Sequence, residues 1–193
     1  TTVQIYDSYI KFETDDGTER LRIGSDGQLL HTSTGALTVD FNTTNSGGAY
    51  HKYDLSANGA TTGYIGAGNQ LVSGAASTDF AFRGQSNIVF STGGDTERLR
   101  IDSSGNIGVN CTPVSTFAAY KAIQLNNYGI WQADDGGGSF LSNNAYINSS
   151  ANWTYMANDY ASDFGMDDGN FYFRNAGSGT GTISWNMPLK IQR

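Results

Sequence analysis

Carboxylates are the side chains of this 193-residue chain best suited to chemistry, and several come in close pairs: Asp134 with Asp135, Asp159 with Asp163, and Asp167 with Asp168. Cleaving a glycosidic bond takes two carboxyl groups about 5 to 9.5 Å apart in unlike surroundings. Neighbouring residues of a strand point to opposite faces. Asp135 and Asp168 each precede Gly, a combination that suits tight turns. These pairs therefore read as turn residues, and no catalytic residue is assigned. His31 and His51 are the only histidines, and neither has a second metal ligand at i+2 or i+4. Neither a metal site nor a Ser-His-Asp triad is expected from them, and no cofactor is called for. Cys111, the single cysteine, has no histidine close in sequence and reads as a small packed residue.

Two further groups have suggestive spacing. Glu19-Arg20-Leu21-Arg22 recurs as Glu97-Arg98-Leu99-Arg100. Arg grips carboxylates bidentately, so this motif could clamp an acidic sugar. A motif that repeats belongs more naturally to a scaffold. Glu19, Arg20, Arg22, Glu97, Arg98 and Arg100 are therefore expected to form ion pairs between chains, with Leu21, Ile23, Leu99 and Ile101 as an apolar axial core. The aromatics are the better candidates for ligand contact. Trp131, Trp153 and Tyr155, with Asp134 and Asn143 as hydrogen-bonding neighbours, could offer flat rings to a glycan, although such rings also fill thin cores.

Composition decides which elements can position these residues. Gly, Asn, Ser and Thr make up 80 of the 193 residues, against 38 for Leu, Ile, Val and Phe. Gly weakens helices, and Asn, Ser and Thr compete for the helix's backbone hydrogen bonds. Apolar residues alternate at period two in Leu21-Arg22-Ile23 and Leu99-Arg100-Ile101, so an all-β fold is expected. Only Ser115 to Leu125 could pass for a helix, and its Tyr120, Ile123 and Leu125 also suit a strand. The 24 aromatic residues argue against a disordered chain. A net charge of −7 disfavours nucleic acid and anionic membrane as partners. No stretch approaches the roughly 20 apolar residues of a membrane span, and no secretion signal is visible. The chain opens without Met and reads as a piece of a longer protein.

Self-comparison organises the chain. Thr18–Ile23 recurs as Thr96–Ile101 at an offset of 78 residues, and Tyr9–Thr14 aligns with Asn87–Thr92 at the same offset. A divergent third copy closes the sequence: Asn170–Arg174 resembles Asn87–Ser91 at offset 83, and Leu189–Ile191 resembles Leu99–Ile101 at offset 90. The expected division is the end of one unit over 1–30, a full module over 31–112, and a second, truncated module over 113–193. So few aliphatic residues struggle to form a core in one chain, which favours wrapping identical chains about an axis.

The run Glu97-Arg98-Leu99-Arg100-Ile101 followed by Asp102-Ser103-Ser104-Gly105-Asn106-Ile107-Gly108-Val109 resembles the shaft modules of tailed-phage tail fibres, common in phages of marine bacteria and cyanobacteria. The likeness covers most of residues 9–109. Two positions of the first copy depart from it, Gly24 standing for the acidic residue and Leu30 for the final Gly. The resemblance implies an elongated homotrimeric fibre with an intertwined β-prism or triple-β-helix-like shaft and small sandwich-like modules. It implies a virion component made in the host cytoplasm, joined to other tail segments and contributing to attachment to a host cell-surface polysaccharide or protein receptor. A polysaccharide-degrading tailspike and a bacterial surface adhesin with the same repeats are the alternatives.

Overall fold

The computed structural model describes residues 2–6, 9–25, 28–31, 48–54, 59–116, 118–126, 129–134 and 138–192. The chain divides into two compact units, Thr1–Ala49 and Tyr50–Arg193, and nearly all its regular structure is β. The first unit is an antiparallel sheet of β1 (Thr2–Ile5), β2 (Ile10–Glu13), β3 (Glu19–Ile23) and β4 (Leu29–His31), in that order. Its β2–β3 turn is organised by Asp16, whose carboxylate accepts the Thr18 N–H at 3.0 Å and the Thr14 hydroxyl. Hydrogen bonds from the Thr14 hydroxyl and the Thr18 backbone hold the Asp16 carboxyl at about 2.

The second unit opens with β5 (Tyr50–Asp54), β6 (Thr61–Ala67) and β7 (Phe80–Gly84), an antiparallel three-stranded sheet. A single helical turn, α1 (Gly68–Leu71), follows β6. Four residues are too few to show a helical period. Close packing imposes the turn: a Cβ at Gly68 would lie 2.7 Å from the Asp79 Cβ. Eleven further strands follow: β8 (Ile88–Ser91), β9 (Glu97–Ile101), β10 (Ile107–Val109), β11 (Tyr120–Leu125), β12 (Gly129–Asp134), β13 (Ser139–Asn143), β14 (Ala145–Ile147), β15 (Trp153–Tyr155), β16 (Asp159–Asp167), β17 (Asn170–Gly179) and β18 (Asn186–Ile191). Nine of them form one sheet in the order β18-β17-β16-β13-β12-β11-β10-β9-β8, and β14 and β15 form a separate hairpin. The stretch that could have passed for a helix thus contributes β11. The boundary expected after residue 112 falls inside this sheet, because β10 and β11 pair in parallel, Ile107 opposite Ile123.

The strands β2, β3 and β4 have bounds that become those of β8, β9 and β10 on adding 78. Their registers agree as well. Phe12 faces Leu21 and Glu13 faces Glu19, just as Phe90 faces Leu99 and Ser91 faces Glu97. In both hairpins one residue, Arg20 or Arg98, is left over as a β-bulge. The pair β17–β18 sets Phe171 against Ile191 and Phe173 against Leu189. At the sequence offsets of 83 and 90, that is the register of Ile88 with Ile101 and Phe90 with Leu99.

The two faces of the nine-stranded sheet differ in an unusual way. One face carries Ala122, Gln124, Ile130, Gln132, Phe140, Ser142 and Asp163, all buried. It lies under the segment 111–116, the β14–β15 hairpin and the segment 182–185. Gln124 Oε1 accepts the Val114 N–H and Gln132 Oε1 accepts the Ile147 N–H, each at 2.9 Å, so the two glutamines fasten the covering layer to the sheet. Ala145, Ala161, Ala176 and Ile183, with Trp153, Tyr155 and Trp185 packed around them, fill the space between. The other face presents an unbroken apolar row, one residue from each strand: Ile88, Ile101, Ile107, Ile123, Trp131, Leu141, Phe164, Phe173 and Leu189. Among the described residues nothing covers the centre of this row, where Trp131 is 53% and Leu141 56% exposed.

Gly108 shows how closely the covering layer sits. A Cβ there would lie 2.2 Å from the Cys111 carbonyl oxygen and 2.8 Å from Pro113 Cδ, whereas Leu30, at the matching position of the first unit, is 46% exposed. Gly108→Val is expected to lower stability by about 1–3 kcal/mol or more, read from the urea midpoint. Leu30→Ser is expected to stay within about 0.5 kcal/mol of wild type.

Candidate functional site

The repeated Glu-Arg motif pairs within its own chain. Glu19 accepts both Arg22 Nε at 3.0 Å and Nη2 at 2.8 Å, and Glu97 accepts Arg100 Nε at 2.9 Å and its Nη2 as well. This differs from the between-chain pairing expected from the spacing. In a regular strand, residues i and i+3 lie on opposite faces. The bulge at Arg20 or Arg98 resets the alternation and brings Glu and the second Arg to one face. Arg98, the bulged residue, reaches Thr92 Oγ1 at 3.3 Å and Asn110 Oδ1 at 3.4 Å. Leu21, Leu99 and Ile101, expected in an axial core, are only partly buried within the chain, and Ile23 is 40% exposed.

The turn after the second motif also has a task. Burial alone would raise the Asp102 carboxyl, but hydrogen bonds from the Asn106 side chain and the Asn106, Ser104 and Gly105 backbone outweigh it and hold the group below its ordinary value. Asn106, thus fixed and 2% exposed, accepts the buried N–H of Ala122 at 3.0 Å and seats β11. Gly24 and Gln28 occupy these two positions in the first unit. Gly24 has no side chain with which to organise such a turn.

Arg174 is the most enclosed cation among the described ion pairs. It grips Asp163 with two hydrogen bonds, Nε to Oδ1 at 2.8 Å and Nη2 to Oδ2. Its guanidinium carbon lies 4.8 Å from the ring centre of Trp153, 5.0 Å from Trp185, 5.3 Å from Phe140 and 5.7 Å from Tyr172. Phe140, Trp153 and Trp185 meet edge to face in sequence. Burial pushes the Asp163 carboxyl above its ordinary value, against the opposing pull of Arg174. The cluster ties β13, β16 and β17 to the covering layer.

The residues expected to touch a glycan do not come together. Trp131 and Asn143 stand on the open apolar face. Trp153 and Tyr155 belong to the covering hairpin on the other side, Trp153 in the Arg174 cluster and Tyr155 donating its hydroxyl to the Gly177 carbonyl at 2.6 Å. Asp134 ends β12, but its side chain and Asp135 lie outside the described residues. Sequence reasoning passed over Phe80 and Phe82 as surface groups: they are 69% and 58% exposed, and Phe82 lines a hollow of about 380 Å³ together with Tyr53, Tyr64 and Arg83. Their two-residue spacing marked a strand, and nothing in it tells which face is open.

Three of the paired carboxylates, Asp159, Asp163 and Asp168, have structural tasks. Asp168 and Gly169, with φ of +48° and +77°, form the two-residue turn between β16 and β17. Asp159 caps the Tyr160 N–H at 2.7 Å, and Asp163 is held by Arg174. Among the described residues no group of three or more His, Cys, Asp or Glu lies together. Burial, with the Glu97 charge nearby, raises the Cys111 thiol, which keeps it protonated at neutral pH. The open face carries two hollows, one of about 390 Å³ beside Ile107, Ile123 and Trp131 and one of about 540 Å³ beside Leu141, Phe164 and Phe173. Comparison with protein-family models, curated proteins and solved structures gives no match to this chain.

Two outcomes follow from these contacts. Arg100 lowers the Glu97 carboxyl, so the pair stabilises the fold above the ordinary carboxylate range and is lost as pH falls through the lowered value. Arg100→Gln is therefore expected to melt below wild type at pH 7, with the gap closing as scanning calorimetry is repeated down through pH 4 to pH 2. Arg174→Leu leaves Asp163 buried without a counter-charge and is expected to cost about 3–5 kcal/mol in urea unfolding. Adding Asp163→Asn should recover part of that loss.

Proposed function

We propose that this chain is a structural segment of a virion tail fibre, part of a homotrimeric shaft that supports attachment to the host cell surface and does no chemistry of its own. The observation that carries the reading is the three-stranded hairpin built twice with the same bounds, register, bulge and Glu-Arg clamp. The β17–β18 pair, in matching register, extends the pattern. A scaffold that reuses one hairpin at regular intervals suits a long, non-catalytic assembly, and the Glu-Arg-Leu-Arg-Ile motif resembles tail-fibre shafts. Exposed Phe80, Phe82 and Tyr53 in the three-stranded sheet offer rings to a surface glycan.

The carboxylates bear on the tailspike alternative. Asp163 is committed to Arg174 and Asp168 to a turn, tasks unlike the paired acid and nucleophile or base of glycoside hydrolysis. Gold-labelled antibody against this segment, applied to intact particles in the electron microscope, is the test. Label along tail fibres is expected. Label on the bacterial envelope alone would indicate an adhesin, and reducing-sugar release from host polysaccharide by the purified segment would indicate an enzyme.

A further inference from the structure

The geometry points to the open face of the nine-stranded sheet as the surface through which copies of this chain meet, each laying its apolar band against its neighbours. The inference rests on the homotrimeric reading above for the number of copies, and adds which surface joins them.

Three observations carry it. The first is the chemistry of the band. The middle row is apolar on all nine strands. The row on one side of it is apolar over β8 to β11, with Phe90, Leu99, Val109 and Leu125, and turns polar from β12 on, with Gly129, Asn143, Ser162 and Asn175. The row on the other side is apolar at the far end, with Met166, Phe171 and Ile191. The apolar surface is thus a diagonal band with a polar margin, the form taken by a sheet that packs on another at an angle.

The second observation is size. Nine strands at about 4.8 Å spacing make a band about 40 Å long, and two rows of side chains make it roughly 15 Å wide. That is on the order of 600 Å² per chain, at the top of the range of about 300–600 Å² for the largest apolar patch of a soluble monomer and approaching the roughly 800 Å² per partner of a stable interface.

The third is charge and relief. Of the strand positions on this face, only Lys121, at the end of β11, is charged. Chains with a net charge of −7 can therefore approach here with their acidic groups turned away. The hollows beside Trp131 and beside Phe164 lie on the same face as half-exposed Phe171, Leu189 and Ile191. A face that holds both hollows and projections can dock onto a rotated copy of itself and close into a ring. The hydrogen-bonding groups Asn143, Ser162, Asn175 and Lys121 stand at the margin of the band, and its middle row offers a hydrated glycan or an acidic protein no charge, amide or hydroxyl.

The test places single cysteines in a Cys111→Ser background: Leu141→Cys at the centre of the band, and Ser149→Cys on the exposed turn of the covering hairpin. Maleimide labelling and sedimentation velocity are measured on the same samples at micromolar concentration. The expected result is a trimer in which Leu141→Cys reacts at least tenfold more slowly than Ser149→Cys. Leu141→Lys should sediment as a monomer while keeping the near-ultraviolet dichroism of its packed tryptophans. A trimer in which Leu141→Cys labels as fast as Ser149→Cys would overturn this inference and leave the fibre reading standing, with the copies meeting elsewhere. A wild-type monomer would overturn both. Protection of Leu141→Cys in a monomer by added host polysaccharide would make the face a ligand site and contradict the inference.

Discussion

Which side of the nine-stranded sheet is dry decides the rest of the structure. Sheets that are open on one side ordinarily bury their apolar residues and turn polar ones to water. In this chain Gln124, Gln132, Ser142 and Asp163 are buried, while Ile123, Trp131, Leu141 and Phe173 lie open. Each buried polar group needs a partner to avoid a penalty of about 1–3 kcal/mol. Val114 and Ile147 give backbone N–H groups to the two glutamines and Arg174 gives its fork to Asp163, while Ser142 Oγ and Gln132 Nε2 are buried without a hydrogen bond among the described residues. The covering layer is thereby fastened at fixed points by directional bonds, and an unbroken apolar row is left on the opposite face.

That arrangement gives small residues and aromatics distinct tasks. Ala122, Ala145, Ala161 and Ala176 line much of the covered side beside the buried Ile130, Ile147 and Ile183, with Phe140, Trp153 and Trp185 enclosing Arg174. Gly108 sits where the chain crosses over the sheet through Cys111 and Pro113. Leu30 stands at the matching position of a hairpin with no described layer over it. The departures of the first copy from the fibre motif follow the same logic. Asp102 and Asn106 seat β11, whereas among the described residues the first unit's sheet runs no further than β4, with Gly24 and Gln28 in their places.

Much of this architecture could be read from the residues. Period-two alternation in Leu21-Arg22-Ile23 marked a strand, and Asp168-Gly169 marked a hairpin turn. Matching Phe171 and Phe173 to Ile88 and Phe90 across a seven-residue insertion anticipated the β17–β18 register. Alternation distinguishes two faces but does not say which one is covered. Trp131 and Trp153 therefore looked alike in the sequence and lie on opposite sides of the sheet. The bulges at Arg20 and Arg98 were hidden for a related reason: an added residue shifts the period locally, so Glu97 and Arg100 looked like residues of opposite faces and form one clamp. Arg174 carried little local signal, because only Tyr172 adjoins it and Phe140, Trp153 and Trp185 come from three other stretches of chain.

The central claim is that the open apolar band is buried between identical chains. An electron cryomicroscopy map of the assembled segment tests it most directly. The account predicts that Trp131, Leu141 and Phe173 lie within about 4 Å of side chains from neighbouring copies, with the β14–β15 hairpin facing solvent. A map in which the copies meet through that hairpin, leaving the band open to water, would contradict it.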